Sequence, residues 1–273
     1  GPTKVIAASR SAAKKVAWVH CDLILKSGDP AAFARKTAPW YEQFDRVVCV
    51  SESVRESFLR LYDDRFPSCV LYNVSNEEEI LRKADAFVPE KGDVPTLCAV
   101  GRLTGQKNFL HLLRALPALV RDGIPFRLLI IGEGGERQRL EEYIQRKKLG
   151  DHVSLLGWRE NPYPYMKAAD IIVCSSIYEG LSTVVTEALI LGKAIVTTPC
   201  TGMDELLGDS EYGLIAQSDD SGLHRALRRM LTEPGLQAHY EAAAARRGRE
   251  FSGSALARRT EDYFTELLEG TSE

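Results

Sequence analysis

The sequence predicts an α/β protein with parallel sheets, and its alternating pattern is the main reason. From residue 96 onward, short runs of β-branched and other apolar residues alternate with longer stretches of helical periodicity. Strands that alternate with helices are typical of parallel β-α-β units covered by helices on both faces. The 273 residues, 44% of them hydrophobic and 27% charged, fit one large or two smaller globular domains.

The elements of this second part follow from the period of the apolar residues. A stripe from Phe109 to Val120 predicts a helix with Asn108 as its N-cap, and Pro117 is expected to kink or shorten it. A second helix is predicted after Ser182, which suits an N-cap. The predicted strands are Thr96–Val100, Arg127–Ile131, 153–156, Ile171–Cys174 and 194–198.

The first 80 residues or so follow a different pattern, with three predicted strands (Val16–Val19, 46–50 and 69–72) and a helix over 53–61. This is too little for an independent doubly wound domain. Residues 74–95 are charged, lack periodicity and contain Pro89, Gly92 and Pro95, so we predict an interdomain connection there. A helix over 255–268 is expected to pack on structure already formed.

Charge and cysteine content exclude several classes of protein. The formal net charge of −3 argues against nucleic-acid binding. Three basic runs are present, Arg146-Lys147-Lys148, Arg225/Arg228/Arg229 and Arg246-Arg247. We interpret them as solvated helix faces or as weak contacts for anionic lipid head groups. The six cysteines form no C-x-x-C pair, which favours free thiols over disulfides or zinc. No signal peptide and no apolar run of bilayer length is present, so we expect a cytoplasmic protein.

The strongest functional signal is Tyr178-Glu179-Gly180-Leu181-Ser182 followed by Glu187. Glu179 is predicted in the loop at the carboxyl end of a strand, and Glu187 about one turn into the next helix. That edge of an open α/β sheet is where ligands bind. Helix amide groups there suit a phosphate, and a carboxylate can accept hydrogen bonds from two sugar hydroxyls. Helix-end charge complementarity explains Glu187 equally well.

A second loop, Gly101-Arg102-Leu103-Thr104-Gly105-Gln106-Lys107, follows the strand Thr96–Val100 and precedes a helix. Its guanidinium and ammonium groups can converge on one anion, such as a diphosphate leaving group that gains charge as its glycosidic bond breaks. Two unrelated surface charges are the alternative. Both loops lie at carboxyl ends of strands in one predicted domain, so they can share a crevice.

Three weaker signals accompany them. Gly132-Glu133-Gly134 permits close backbone approach to a ligand, although turn geometry explains it equally well. The segment 157–165, which includes Arg159, could line a base pocket or be a proline-rich connection. His20 ends a predicted strand, where a structural and a catalytic role are about equally expected.

With these residues identified, residues 96–232 resemble the donor-binding domain of GT-B fold glycosyltransferases, specifically glycosyltransferase family four. That family carries a G-R-x4-K loop, a G-x-G loop and an E-x7-E element, which here start at Gly101, Gly132 and Glu179. The segment 157–165 resembles the subgroup that builds bacterial surface polysaccharides and lipopolysaccharide cores. Residues 18–20 and 44–53 resemble the later part of the acceptor domain.

The resemblance implies the following domains: a partial acceptor domain over 3–78, a linker over 79–95, a donor-binding domain over 96–250 and a C-terminal helix over 251–270 that crosses back to the acceptor domain. The acceptor domain's first strand and Gly-rich loop are missing. We therefore expect this chain to bind nucleotide sugar but to transfer it poorly or not at all.

The resemblance also implies a retaining transfer from a nucleotide sugar, with a UDP-sugar expected, to a saccharide or lipid-linked acceptor, without metal or other cofactor. Arg102 and Lys107 would hold the diphosphate, Glu179 the donor sugar and Glu187 the ribose. Arg159 would lie near the base and His20 near the reacting carbon. The other donor-binding residues would be Gly101, Gly132, Gly134, Gly180, Leu181 and Ser182. Peripheral contact with the inner membrane face is a family-based expectation.

Two other functions are compatible with the motifs. A nucleotide-sugar-binding module would bind the donor without transferring it. A sugar-nucleotide epimerase can share the GT-B architecture, but it needs acid and base groups around the sugar ring, and the sequence offers only His20 and Glu179.

Overall fold

The computed structural model describes residues 2–219, 221–251 and 253–270, and its chain divides into two compact units. The first contains described residues up to 74, the segment 178–181 and residues from 253 onward. The second contains residues 75–177 and the described residues from 182 to 251. Ser252, in the predicted C-terminal segment, and Asp220, in the predicted donor domain, lie outside the described residues.

The first unit is built around a three-stranded parallel sheet of order β1-β2-β3. Buried aromatic side chains, including Tyr41 and Phe58 at a ring-centroid distance of 5.2 Å, pack beside this sheet. The elements are α1 (Pro2–Ala7), β1 (Val16–Val19), α2 (Leu23–Lys26), α3 (Pro30–Tyr41), β2 (Arg46–Cys49), α4 (Glu52–Tyr62), a 3-10 turn (Asp63–Arg65) and β3 (Ser68–Val70).

The second unit contains a six-stranded parallel sheet of order β6-β5-β4-β7-β8-β9. Its elements are α5 (Glu77–Ala84), β4 (Thr96–Val100), α6 (Phe109–Arg121), β5 (Arg127–Ile131), α7 (Arg137–Arg146), β6 (Val153–Gly157), α8 (Tyr163–Ala168), β7 (Ile171–Cys174), α9 (Thr183–Ile190), β8 (Ala194–Thr197), α10 (Met203–Leu207), β9 (Leu214–Ile215), α11 (Gly222–Thr232), α12 (Leu236–Gly248) and a 3-10 turn (Arg249–Phe251). The predicted α/β class with parallel sheets is confirmed. The last helix, α13 (Gly253–Glu269), belongs to the first unit.

Of the two expectations about α6, the N-cap at Asn108 is confirmed and the shortening at Pro117 was wrong. Pro117 neither ends nor shortens the helix, which continues to Arg121. Proline removes one backbone hydrogen bond, but Leu116 and Leu119 on either side of it are fully buried, so core packing holds the turn. Asn108 does occupy the N-cap, but with left-handed backbone angles (φ 48°) and no capping hydrogen bond from its side chain.

The segment 74–95, expected to lack periodic structure, contains helix α5. Asn76 caps it by accepting a 2.9 Å hydrogen bond from the Glu79 amide, and acidic residues fill its first turn, which complements the helix dipole. Ile80 and Ala84 are its buried residues, so the apolar pattern is too short to detect as a period.

No helix in the described part of the chain combines the length and apolar character needed to cross a bilayer. All six cysteines are free thiols, as expected.

Candidate functional site

The site lies where the order of the second sheet reverses. Strands β5 and β6 lie on one side of β4, whereas β8 and β9 lie on the far side of its other neighbour, β7. In open α/β sheets such a switch point leaves a crevice outside the carboxyl ends of the two central strands. The loops that follow β4 and β7 are tied together there, because the Ile177 amide donates to the Gln106 carbonyl (2.9 Å) and the Ser175 hydroxyl donates to the Lys107 carbonyl (2.8 Å).

The loop after β4 carries two cations. Arg102 is exposed, and no carboxylate in the described part of the chain forms an ion pair with it. The aliphatic stem of Lys107 lies along Gly101, with its Cε 3.2 Å from the position that a Cβ on Gly101 would occupy. The loop therefore folds back so that its first and last residues are adjacent.

Gly132 follows β5 and packs against this cation loop. A Cβ on Gly132 would lie 1.9 Å from the Gly101 carbonyl oxygen, and the backbone there has φ +144°. Gly134 makes a similar approach, since its Cβ would lie 2.4 Å from the Leu103 carbonyl oxygen. The G-x-G element thus serves loop-to-loop packing in the structure, and its direct contact with a donor stays a prediction.

Ser182 and Glu187 lie on α9. Ser182 is buried and is the N-cap, and its hydroxyl accepts from the Val185 amide at 3.5 Å, as predicted for the helix start. Glu187 lies in the second turn, partly buried, where its Oε1 accepts a 3.0 Å hydrogen bond from the Tyr163 hydroxyl.

Burial raises the pKa of the Glu187 carboxyl, although the Tyr163 hydrogen bond and the positive charge of Lys107 both act to lower it. The influence of Lys107 indicates that its ammonium group lies within electrostatic range of this carboxylate. Burial, and next the neighbouring Glu187, raise the pKa of the Tyr163 phenol, so Tyr163 is a neutral donor at physiological pH.

Residues 178–181 belong to the first unit, where hydrogen bonds to their main-chain carbonyls hold them. The Glu179 carbonyl accepts from the Asp22 amide (3.3 Å), and the Gly180 carbonyl accepts from the Ser51 hydroxyl (2.9 Å). A Cβ on Gly180 would lie 2.2 Å from the His20 carbonyl oxygen, so a larger residue cannot replace this glycine without moving the backbone. The side chains of Glu179 and Leu181 are buried.

The structure therefore groups the predicted site residues in two sets. Gly101, Arg102, Lys107, Gly132, Gly134, Ser182 and Glu187 belong to the second unit, and His20, Glu179, Gly180 and Leu181 to the first. The exposed ring of His20 stacks on Trp18, with centroids 5.8 Å apart and planes at 14°.

Among the described residues, Arg159 forms no hydrogen bond or ion pair with Glu187. Its side chain is exposed, and its guanidinium lies 3.5 Å from the Trp158 carbonyl. Its role beside a base stays a prediction. Sequence reasoning gave Tyr163, four residues further along, no role of its own, although its position at the start of a helix after β6 placed it at the carboxyl edge of the sheet.

Comparisons with known proteins identify the family of the chain. The family model for glycosyl transferases group 1 matches residues 81–247. The chain belongs to the glycosyl transferases group 1 family. The predicted family resemblance is confirmed.

Relatives of known name include a Campylobacter jejuni protein and a Rhizobium meliloti protein. The first is N-acetylgalactosamine-N,N'-diacetylbacillosaminyl-diphospho-undecaprenol 4-alpha-N-acetylgalactosaminyltransferase, 32% identical over 80% of this chain and 59% of its own. The second is the lipopolysaccharide core biosynthesis glycosyltransferase LpsE, 26% identical over 84% of this chain and 65% of its own. The chain therefore spans less than two thirds of the length of these relatives.

Solved structures support the GT-B fold expectation. Sucrose-phosphate synthase from Thermosynechococcus elongatus superposes with a TM-score of 0.81 at 21% identity, covering 96% of this chain and 69% of that one. HepE from Anabaena, solved in complex with UDP, gives a TM-score of 0.78 at 18% identity, with coverage of 93% and 72%. At these identities the likeness shows the fold alone.

Proposed function

We propose that this chain supplies the donor-binding part of a retaining glycosyltransferase that uses a nucleotide-diphosphate sugar, with UDP-sugars as the favoured class. The observation that carries the proposal is the cluster at the switch point of the second sheet. There, the loop with Arg102 and Lys107 is bonded to the loop after β7, and Lys107 lies within electrostatic range of Glu187. A cationic loop and a carboxylate at one sheet edge suit a diphosphate and a ribose.

In this proposal Arg102 and Lys107 bind the two phosphates. The acceptor oxygen attacks the anomeric carbon from the face that the diphosphate leaves, so the configuration is retained. The bond between that carbon and the β-phosphate oxygen breaks, its electron pair goes to the phosphate, and the phosphate takes the acceptor's proton. The two cations stabilise the charge that develops on the leaving group, which lowers the barrier.

The remaining roles rest on the family resemblance. Glu179 is proposed to bind donor-sugar hydroxyls, Glu187 the ribose, and His20 to lie near the reacting carbon. Amides at the start of α9, behind Ser182, would add donors for the phosphate. The acceptor class, a saccharide or lipid-linked saccharide, is supported by the Campylobacter jejuni relative, which by its name acts on an undecaprenol-linked saccharide.

Peripheral contact with an anionic membrane is proposed for one of the three basic runs. Arg225, Arg229 and Arg247 form ion pairs with nearby acidic residues. By contrast, Arg146, Lys147 and Lys148 are exposed and form no ion pair with any described residue. Three unpaired cations at the end of α7 suit anionic lipid head groups.

A thermal-shift screen against UDP-, GDP- and ADP-sugars tests the donor assignment. A ligand at 100 times its Kd stabilises the folded state by about 2.7 kcal/mol. We expect the largest shift with a UDP-sugar, and we expect Arg102→Ala to remove most of it because the diphosphate loses its guanidinium partner.

Arg114→Ala is the matched control, because Arg114 is an exposed arginine on α6 and its replacement removes the same charge. The absence of a shift with every nucleotide, or equal losses in both variants, contradicts the donor site. Release of UDP from a UDP-sugar then separates a transferase from a module that only binds the donor.

A further inference from the structure

Tyr163 contacts Glu187 but belongs to none of the three family motifs. Its hydroxyl donates to Oε1 of Glu187 at 3.0 Å. A carboxylate offers two oxygens with about four acceptor positions. Oε1 is therefore engaged by the phenol, while no donor among the described residues forms a hydrogen bond with Oε2.

The helix that carries the phenol is held by contacts with α5 and with the segment that follows α5. The Asn161 side-chain amide donates to the Lys83 carbonyl of α5 at 2.8 Å, and its oxygen accepts from the Tyr163 amide at 3.3 Å. Further along α8, Tyr165 packs edge-on against Phe87 with centroids 5.4 Å apart. The start of α8 is thereby fixed against α5.

Lys167 at the end of α8 adds an ion pair with Asp85, which follows α5. The negative charge of Glu79 on α5 also acts on Tyr163 and contributes to keeping the phenol protonated. The hydrogen bonds of Asn161, the ring contact of Tyr165 and the ion pair of Lys167 restrain helix α8, which carries the phenol, and none of them involves Glu187. Tyr163 is therefore placed independently of the carboxylate that it binds.

A glutamate on the second turn of a helix has three side-chain torsions, and its free carboxylate samples many positions. One hydrogen bond from a rigid donor removes most of that freedom and leaves the second oxygen able to accept from a ligand. Vicinal hydroxyls, as on a ribose, are the ligand chemistry that a single fixed carboxylate oxygen binds well, because both hydroxyls can donate to it.

We propose that Tyr163 is a positioning residue that orients Glu187 so that Oε2 receives the ribose diol of a nucleotide donor. The inference rests on the proposed function, because it assigns the ribose to Glu187. The proposal predicts that the protein binds a ribonucleotide more tightly than its 2′-deoxy analogue, because the analogue lacks the hydroxyl that Glu187 would bind. This difference in affinity should require the Tyr163 hydroxyl.

Calorimetric titration with UDP and 2′-deoxy-UDP tests this. For the unchanged protein we expect UDP to bind roughly tenfold more tightly than 2′-deoxy-UDP, as one lost hydrogen bond to a charged group predicts. Tyr163→Phe should weaken UDP binding by about tenfold and leave 2′-deoxy-UDP nearly unchanged, so that the preference falls below about threefold. A general loss of packing would weaken both ligands equally.

Tyr165→Phe is the matched control: it removes the same atom from the same helix, and its ring contacts Phe87 rather than Glu187. It should retain the full preference for UDP. A Tyr163→Phe variant that keeps the preference, or a control that loses it as well, overturns the positioning role.

A double-mutant cycle with Glu187→Gln supplies the second measurement, because it separates an effect of Tyr163→Phe through Glu187 from a general effect on the protein. If Tyr163 acts through Glu187, adding Tyr163→Phe to Glu187→Gln should change UDP affinity by less than about twofold. Additive losses overturn the proposal and leave donor binding intact. Failure of the unchanged protein to bind UDP overturns both proposals.

Discussion

Replacing Gly132 with alanine tests the packing that holds the cation loop. The added Cβ would lie 1.9 Å from the Gly101 carbonyl oxygen and 2.8 Å from the Gly101 carbonyl carbon. The backbone at Gly132 has φ +144°, which an L-residue adopts only under strain. Both effects act on Gly101, which precedes Arg102.

The magnitude follows from these two terms. The unfavourable backbone conformation costs about 1–3 kcal/mol, and inserting a methyl group into packed atoms costs about 1–3 kcal/mol more. The overlap is with backbone, which cannot rotate away, so the backbone after β4 must shift by roughly 1.5 Å to restore an ordinary contact of 3.4 Å. We therefore expect a loss of about 2–6 kcal/mol in the free energy of unfolding.

Urea unfolding and UDP binding measure the outcome in the same samples. Gly135→Ala is the matched control, because it lies in the same loop and its Cβ would meet no atom within 4 Å. That variant should unfold within about 0.5 kcal/mol of the parent and bind UDP normally. If Gly132→Ala matches the control in both measurements, the close approach of the two loops does not exist in solution.

Two further predictions concern charge. Because burial raises the pKa of Glu187 in the folded state, its charge destabilises the protein above that pKa, and Glu187→Gln should raise the free energy of unfolding at pH 7 by about 1.4 kcal/mol per unit of pKa shift. The gain in stability should vanish below about pH 4, where the carboxyl is protonated in both the folded and the unfolded state. Urea unfolding at pH 7 and below pH 4 measures it. A lower free energy of unfolding for Glu187→Gln at pH 7 contradicts the raised pKa. Lys147→Glu with Lys148→Glu should weaken sedimentation with phosphatidylglycerol vesicles by at least about tenfold. Equal binding by the parent and the double variant contradicts the membrane proposal.

The sequence predicted the strands well because each is a short, continuous apolar run between breakers. β4, β5 and β7 have the predicted bounds, and β6 and β8 differ by one residue each. The place of the cation loop along the chain was predictable for the same reason, because the loop directly follows β4. Helix α5 was missed because two buried residues four apart, Ile80 and Ala84, do not make a recognisable stripe.

Contacts between distant segments were beyond sequence reasoning. Nothing local in the segment 157–165 indicates that the Tyr163 hydroxyl meets Glu187, 24 residues later, because that contact depends on how α8 and α9 pack. Likewise, the sequence around Gly180 indicates only a turn, and the structure shows that this glycine packs closely against the His20 carbonyl. Long-range packing determines both contacts, and the periodicity of apolar residues carries no information about such packing.

The two acids of the E-x7-E element are held by different means. Glu179 is held through its backbone, by the amide of Asp22, whereas Glu187 is held through its carboxylate, by Tyr163. A side-chain change at Asp22 keeps the amide that holds Glu179, but it removes the carboxylate that accepts from the Ser57 hydroxyl and caps α2. A change at Tyr163 removes the bond to Glu187 without touching the backbone. The carboxylate of Glu187 thus depends on one hydroxyl outside the motif, so a substitution at Tyr163 can change how this carboxylate is oriented.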